Sequence, residues 1–140
     1  MGGINTGRVI VGGLLAGLLI NCSEFVLNTF VVAKDMEAAM KAMGLPPIDA
    51  GQIPFFVVFG FLLGIVTVWL YAAIRPRFGP GVPTAAYTAL VVWFLAYLYP
   101  TLFFLVMHVF PANAMIVSVV WGLGEILIAG VAGAWAYTES

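Results

Sequence analysis

The sequence contains very little charge for its length. Only 8% of its 140 residues are Asp, Glu, Lys or Arg, whereas about 25% is usual in a soluble protein. Five basic and six acidic residues give a net charge of −1, so the chain lacks the basic surface that nucleic-acid binding requires. Hydrophobic residues make up 64% of the chain, which indicates that most of its outer surface contacts membrane lipids.

Cysteine and histidine are also scarce. The chain has one of each, which excludes an internal disulfide and argues against the usual zinc clusters. The sequence carries no pattern typical of a nucleophile triad or a phosphate-binding loop. An enzyme is therefore the less favoured class, and we expect lipid contacts but no bound cofactor.

Four segments are long and apolar enough to cross a bilayer as helices, which takes roughly 20 residues. They cover about 8–33, 54–74, 83–109 and 113–137. The last two connections are so short that the second, third and fourth helices must be antiparallel neighbours. The sequence therefore predicts an all-α fold, an antiparallel bundle of four transmembrane helices, with 1–140 forming a single membrane domain.

Prolines mark helix starts and one interior irregularity. Pro54 and Pro111 suit the first turn of a helix, where a missing N–H costs no hydrogen bond. Pro100 instead lies inside the third segment and removes one backbone hydrogen bond. We expect a kink in the third helix at this position.

The first loop has a helical pattern of its own. Residues 35–43 place Met36 and Met40 on one face and opposite charges on another, which predicts a short extramembrane helix lying on the membrane or capping the bundle. Thioethers also bind Cu(I), and a histidine can ligate haem iron. Met36, Met40 and His108 are therefore the metal candidates. We expect no metal, with His108 capping the end of the third helix.

Basic residues indicate the orientation in the membrane. One side of the predicted bundle carries Arg8, Arg75 and Arg77, and the other carries Lys34 and Lys41. Cytoplasmic loops carry the excess of Lys and Arg. The count of three against two predicts that both termini are cytoplasmic.

Two acidic residues lie inside predicted membrane helices. Glu125 is near the middle of the fourth helix, and Glu24 is about 15 Å from the end of the first at 1.5 Å per residue. The two carboxyl groups can thus lie at similar depth. A charge near the bilayer centre costs from about 3 to more than 10 kcal/mol, so we expect both side chains to face the bundle interior and to hold one or two protons at neutral pH.

Small and polar residues extend along one face of each of these helices. The face on the first helix carries Gly13, Gly17, Asn21, Glu24 and Asn28. The matching face on the fourth carries Ser118, Gly122, Glu125 and Ala129. Small residues let helices approach closely, and polar side chains form hydrogen bonds between them. We expect the two faces to pack together or to line one cavity.

The other two helices carry weaker patterns. Gly60 and Gly64 in the second helix form a GxxxG pair, which is a helix-contact motif. Aromatic residues crowd the third helix, and we interpret them as a lipid-facing or inter-subunit surface. They are Tyr87, Trp93, Phe94, Tyr97, Tyr99, Phe103 and Phe104.

The polar residues of the spans admit two interpretations. Intramembrane carboxylates mark proton and cation pathways, so Glu24 and Glu125 are candidates for a relay. Alternatively, protonated carboxyl groups bonded to Asn21, Asn28 or Ser118 form an interhelical polar seam with a structural role only.

Three segments carry a resemblance to known proteins. They are EFVLN at 24–28, AMGLP at 42–46 and IRPRFGPG at 74–81. Together they resemble small bacterial four-helix integral membrane proteins of unknown function, which implies a bacterial inner-membrane protein and no particular activity. In size, helix count and a first-helix glutamate the chain is also similar to small multidrug transporters, but its long first loop and its second glutamate depart from them.

Four helices bury only a thin seam, so we expect a homo-oligomer or a subunit of a larger membrane complex. The leading interpretation is an accessory or assembly subunit, in which Glu24 and Glu125 are buried and satisfied with no cavity. The alternative is a small proton- or cation-coupled permease with a water-accessible pocket between the two residues. A cofactor- or metal-binding membrane protein is the third interpretation.

Overall fold

The computed structural model describes residues 3–138, in which all regular structure is helical. Six α-helices occur: α1 (Thr6–Val26), α2 (Ala33–Ala42), α3 (Ile53–Phe78), α4 (Val82–Trp93), α5 (Tyr99–Val106) and α6 (Ala112–Ala136). Two π-helical turns accompany them. Leu27–Val31 extends α1, and Phe94–Leu98 joins α4 to α5.

These elements form four helices that are long and apolar enough to span a membrane. They cover Thr6–Val31, Ile53–Phe78, Val82–Val106 and Ala112–Ala136, with 25 or 26 residues each. The predicted fold class is therefore confirmed, and the chain is a multi-pass membrane protein. The second span continues four residues further than predicted because the helix runs through Pro76 and ends at Phe78, just before Gly79, whose positive φ of 86° is open to glycine at no steric cost.

The helix α2 lies in the predicted first loop but does not stand apart from the first span. Only Val32 separates it from the π-helical turn. Met36 packs against a small apolar cluster that includes Leu27 and Ala114, and Asn113 donates a hydrogen bond of 3.3 Å to Asp35. The start of α6 thus holds α2 in place. We call this end of the bundle the α2 end, and the opposite end, where α1 begins and α6 finishes, the base.

The helices pack around α1. Its main neighbours are α3 on one side and α6 on the other, while α4 packs against α6. The order around the bundle is therefore α3, α1, α6, α4. The first and fourth spans adjoin, as the sequence predicted.

Glycines make the helix contacts, but not with the partners that the sequence suggested. Gly13 faces α3, where an added Cβ would lie 2.5 Å from the Cα of Ile65. At the contact with α6 it is Gly12 that is crowded, since its added Cβ would lie 2.5 Å from the carbonyl oxygen of Gly133. Of the two predicted arrangements, packing of the two faces on each other or lining of one cavity, the first does not hold at Gly13, which packs on α3. Consecutive helical residues differ by about 100° in direction, so α1 presents two adjacent small-residue faces.

The third span is irregular where Pro100 was predicted to disturb it. Proline has no N–H and its ring crowds the preceding turn. The helix contains the π-helical turn Phe94–Leu98 just before this proline, and the N–H of Tyr99 donates to the carbonyl of Phe94. The turn adds one residue to the helical period, and it changes which side chains face α6.

Candidate functional site

The two intramembrane carboxyl groups lie next to each other. Glu125 on α6 is only 6% exposed, and Glu24 on α1 is half-buried. The two side chains are close enough to interact electrostatically. The close packing of α1 on α6 brings these residues together.

Glu125 is held by a residue that the sequence analysis did not select. The hydroxyl of Tyr97 donates to its Oε2 at 2.6 Å, a length typical of a strong hydrogen bond to a carboxylate. Its other oxygen, Oε1, is buried and has no hydrogen-bond partner within residues 3–138. Tyr97 thus holds one oxygen of Glu125, and Glu24 and Ser23 are the other polar neighbours of this carboxyl group.

Glu24 has different partners from Glu125. Asn28 donates to its Oε2 at 2.9 Å and to its backbone carbonyl at 2.8 Å. The predicted partnership of Glu24 with Asn28 is thus present. Asn21 serves another purpose, because its side chain donates to the carbonyl of Val57 at 3.1 Å and ties α1 to α3.

Ser118 lies on α6, half-buried, and no hydrogen bond from it to either carboxyl occurs among the described residues. The serine beside the pair is instead Ser23, which accepts a hydrogen bond of 2.9 Å from the indole N–H of Trp121. This bond crosses from α6 to α1 next to Glu24. It adds a polar link that the sequence analysis missed.

Tyr97 faces the interior of the bundle, contrary to the prediction for the aromatic residues of the third span. It was assigned to a lipid-facing or inter-subunit surface, yet its ring is half-buried and lies directly against Gly122, where an added Cβ would overlap it. In a regular helix the small-residue face through Ala85, Ala89 and Val92 would continue to Ala96. The π-helical turn shifts the period by one residue, so Tyr97 faces α6 and Ala96 is exposed.

A cavity of about 760 Å³ opens beside the carboxyl pair. Its lining comes from α1, from the first loop, from α3 and from the π-helical turn before Pro100. Glu24, Asn21 and Asn28 supply polar groups, and Phe25, Phe56, Phe59 and Tyr97 supply aromatic rings. Cavities of roughly 300–1,000 Å³ hold small organic ligands, so this one has room for a molecule rather than only for an ion.

The cavity wall is open toward the surface of the spans. Phe25, Phe56 and Phe59 line it and are each at least half exposed. In a membrane this surface contacts lipid. The cavity therefore has an apolar, laterally exposed side and a polar inner side that ends at Glu24.

The metal candidates are dispersed. Met36 packs in the apolar cluster beneath α2, Met40 is half-buried on α2, and His108 is exposed after α5 with a positive φ of 54°. Among residues 3–138, no three His, Cys, Asp or Glu side chains are grouped so that they could hold a metal ion.

Comparison of the chain with protein-family models, with curated proteins and with solved structures gave no match. The geometry of the site itself is thus the basis for assigning a function.

Proposed function

We propose that the protein is a small proton-coupled permease for an amphipathic organic cation, with Glu24 and Glu125 as its proton-exchanging groups. One observation carries this proposal. A cavity large enough for an organic molecule ends on the half-buried Glu24, and Glu24 interacts with a second, fully buried carboxyl group.

The cavity lining favours an organic cation over a metal ion. Hard metal cations bind six or more oxygen atoms, whereas this cavity offers one carboxyl group and two side-chain amides within a largely apolar wall. A cationic group placed near Glu24 would be attracted by the carboxylate. Phe25 and Phe56 present rings that suit an apolar body or a cation–π contact.

The pair of carboxyl groups provides the coupling. Two carboxyl groups in contact exchange protons as a unit, because ionisation of one disfavours ionisation of the other. A monocation that pairs with Glu24 displaces the proton that the pair would otherwise hold. When the cation leaves, a proton binds the pair again, so one proton is exchanged for one cation.

The alternative of an assembly subunit has less support. That interpretation expects both carboxyl groups to be satisfied and the bundle to be closed. Instead the cavity reaches the half-buried Glu24 and leaves the bundle open beside it. An open cavity at an intramembrane carboxyl group is useful to a permease and costly for a purely structural seam.

Transport in proteoliposomes tests the proposal. Purified protein should move the monocationic dye rhodamine 6G in response to an imposed pH gradient, but should not move an anionic dye. Glu24→Gln and Glu125→Gln keep the shape of the side chains but cannot exchange a proton, so each should abolish the pH-driven flux. Glu37→Gln on the exposed face of α2 is the matched control and should transport normally. Full activity in both site variants would refute the proposal.

We also propose that the protein resides in a bacterial inner membrane as a homo-oligomer with both termini cytoplasmic. Arg8, Arg75 and Arg77 lie toward the base of the bundle, which supports this orientation. Cys22 is exposed, so labelling experiments should use a Cys22→Ser background. A membrane-impermeant maleimide applied from the periplasmic side should then label cysteine introduced at Asp49 but not at Gly79. The reverse pattern would invert the topology.

A further inference from the structure

We infer that Tyr97 is a positioning residue that holds Glu125 and separates it from the cavity, so that a bound cation contacts Glu24 but not Glu125. This inference deepens the proposed function and rests on it. It assigns different tasks to the two carboxyl groups. Glu24 contacts the ligand, and Glu125 is the buried member of the pair that shares its proton with Glu24.

Tyr97 lies between the cavity and the buried carboxyl group of Glu125. Its side chain lines the cavity together with Glu24, whereas Glu125 does not line it. At the same time its hydroxyl donates to Glu125 Oε2 at 2.6 Å. One side chain thus forms the cavity wall and contacts the buried carboxyl group behind that wall.

The Tyr97 side chain is held at its ring and at its hydroxyl. The ring fits over Gly122 on α6, where any side chain would overlap it, and the hydroxyl is bonded to Glu125. The backbone carbonyl of Tyr97 accepts a hydrogen bond of 2.6 Å from the hydroxyl of Thr101 on the same span. Tyr97 also belongs to the π-helical turn Phe94–Leu98, and such turns often occur at functional sites.

A consequence follows for coupling. A ligand that fills the cavity presses on the Tyr97 ring, and the ring cannot move without changing its hydrogen bond to Glu125. Ligand occupancy therefore affects the buried carboxyl group through this hydroxyl as well as through Glu24. Removing the hydroxyl should leave the cavity wall intact while it weakens the coupling of the proton to the cation.

The variant Tyr97→Phe tests the role of the hydroxyl. It keeps the ring, so KM for rhodamine 6G should stay within about twofold, while Vmax of the pH-driven flux should fall by on the order of tenfold, as expected for loss of a hydrogen bond to a charged group. Tyr99→Phe is the matched control, since Tyr99 is exposed on the same span. It should leave both constants unchanged. Equal Vmax values for the two variants would overturn the inference.

Carbodiimide labelling tests the separation without any transport. Dicyclohexylcarbodiimide is an apolar reagent for carboxyl groups, and mass spectrometry identifies the residues that it modifies. Glu24 alone should react in the wild-type protein, and Glu125 should also react in Tyr97→Ala. Reaction of Glu125 in the wild-type protein would refute the separation.

A second pair of variants covers the case in which a change at Tyr97 impairs folding. Gly122→Ala displaces the ring from α6, whereas Gly124→Ala places its methyl group in open space. Labelling of Glu125 should appear in Gly122→Ala and not in Gly124→Ala, and its absence from both variants would contradict the inference.

The transport proposal and the inference about Tyr97 can fail independently of each other. If wild-type protein moves no dye, the transport proposal falls, whereas the labelling pattern still decides the position of Tyr97.

Discussion

The two halves of the bundle use glycine in opposite ways. Near the middle of the bundle, Gly64 is met by the backbone of α1, and toward the base Gly12 is met by the backbone of α6 and Gly133 by the side chain of Val68 and the backbone of Gly12. Toward the α2 end, Gly60 is met by the side chain of Asn21, and Gly122 by the ring of Tyr97. The same residue type therefore closes one half of the bundle and makes room for functional side chains in the other.

Polar contacts reinforce this difference. At the base, the hydroxyl of Tyr137 accepts a hydrogen bond of 3.2 Å from the N–H of Asn5 and joins the two ends of the described chain. Its ring packs edge-on against Tyr71 and lies 5.7 Å from the guanidinium of Arg75. At the α2 end, the polar groups instead line a cavity. The base is thus held by contacts between helices, and we call it the platform. The site lies between the platform and the α2 end.

The largest expected effect is at the contact between α1 and α3. Gly64→Ala places a methyl group against the backbone of Gly13 and Gly17, which cannot move aside. We expect it to destabilise the protein by about 2–3 kcal/mol, the upper range for overpacking. Unfolding by dodecyl sulfate in mixed micelles measures this loss.

Gly60→Ala, one helical turn away, is the matched comparison. Its methyl group meets only the flexible end of Asn21, which can rotate at the cost of its bond to Val57. We expect a loss of no more than about 1 kcal/mol, the usual contribution of one hydrogen bond. Equal losses for the two variants would show that the halves do not differ in rigidity.

A smaller effect is expected from Tyr137→Phe. This variant keeps the packing against Tyr71 and removes only the acceptor for the N–H of Asn5, so it should cost about 1 kcal/mol. Tyr87→Phe changes an exposed ring and should cost nothing measurable. Hydrogen exchange at the Asn5 amide should accelerate in the first variant alone. An unchanged exchange rate would mean that the bond does not hold the base together.

The sequence predicted the platform better than the site. The lengths of the apolar segments predicted the four spans to within a few residues. The free-energy cost of a charge in the bilayer predicted that Glu24 and Glu125 face the interior. Both arguments depend only on composition and on helical spacing. The assignment of Gly13 to the wrong neighbour had a simple cause, since α1 carries small residues on two adjacent faces and spacing alone does not say which helix each face meets.

Tyr97 was missed for a different reason. Its inward direction depends on the π-helical turn Phe94–Leu98, which changes the helical period by one residue. Pro100 signalled a disturbance, but a proline can also produce a simple bend. A sequence pattern based on 3.6 residues per turn therefore assigned the facing position to Ala96. The cavity likewise depends on how far α3 and the third span separate, which no local pattern records.

The smallest expected effect concerns the end of the third span, where the α2 end meets the following turn. His108 has a φ of 54°, a left-handed conformation that costs a residue with a side chain about 1–2 kcal/mol. Glycine adopts this conformation freely but loses about 0.5–1 kcal/mol through its greater freedom in the unfolded chain. His108→Gly should therefore stabilise the protein by roughly 0.5 kcal/mol, and His108→Ala, which keeps the strain, should not. Unfolding by dodecyl sulfate in mixed micelles, carried out on both variants, compares their free energies of unfolding. If His108→Gly lowered stability by several kcal/mol instead, the strain argument would be wrong, and the imidazole would have to make a stabilising contact at this end of the bundle.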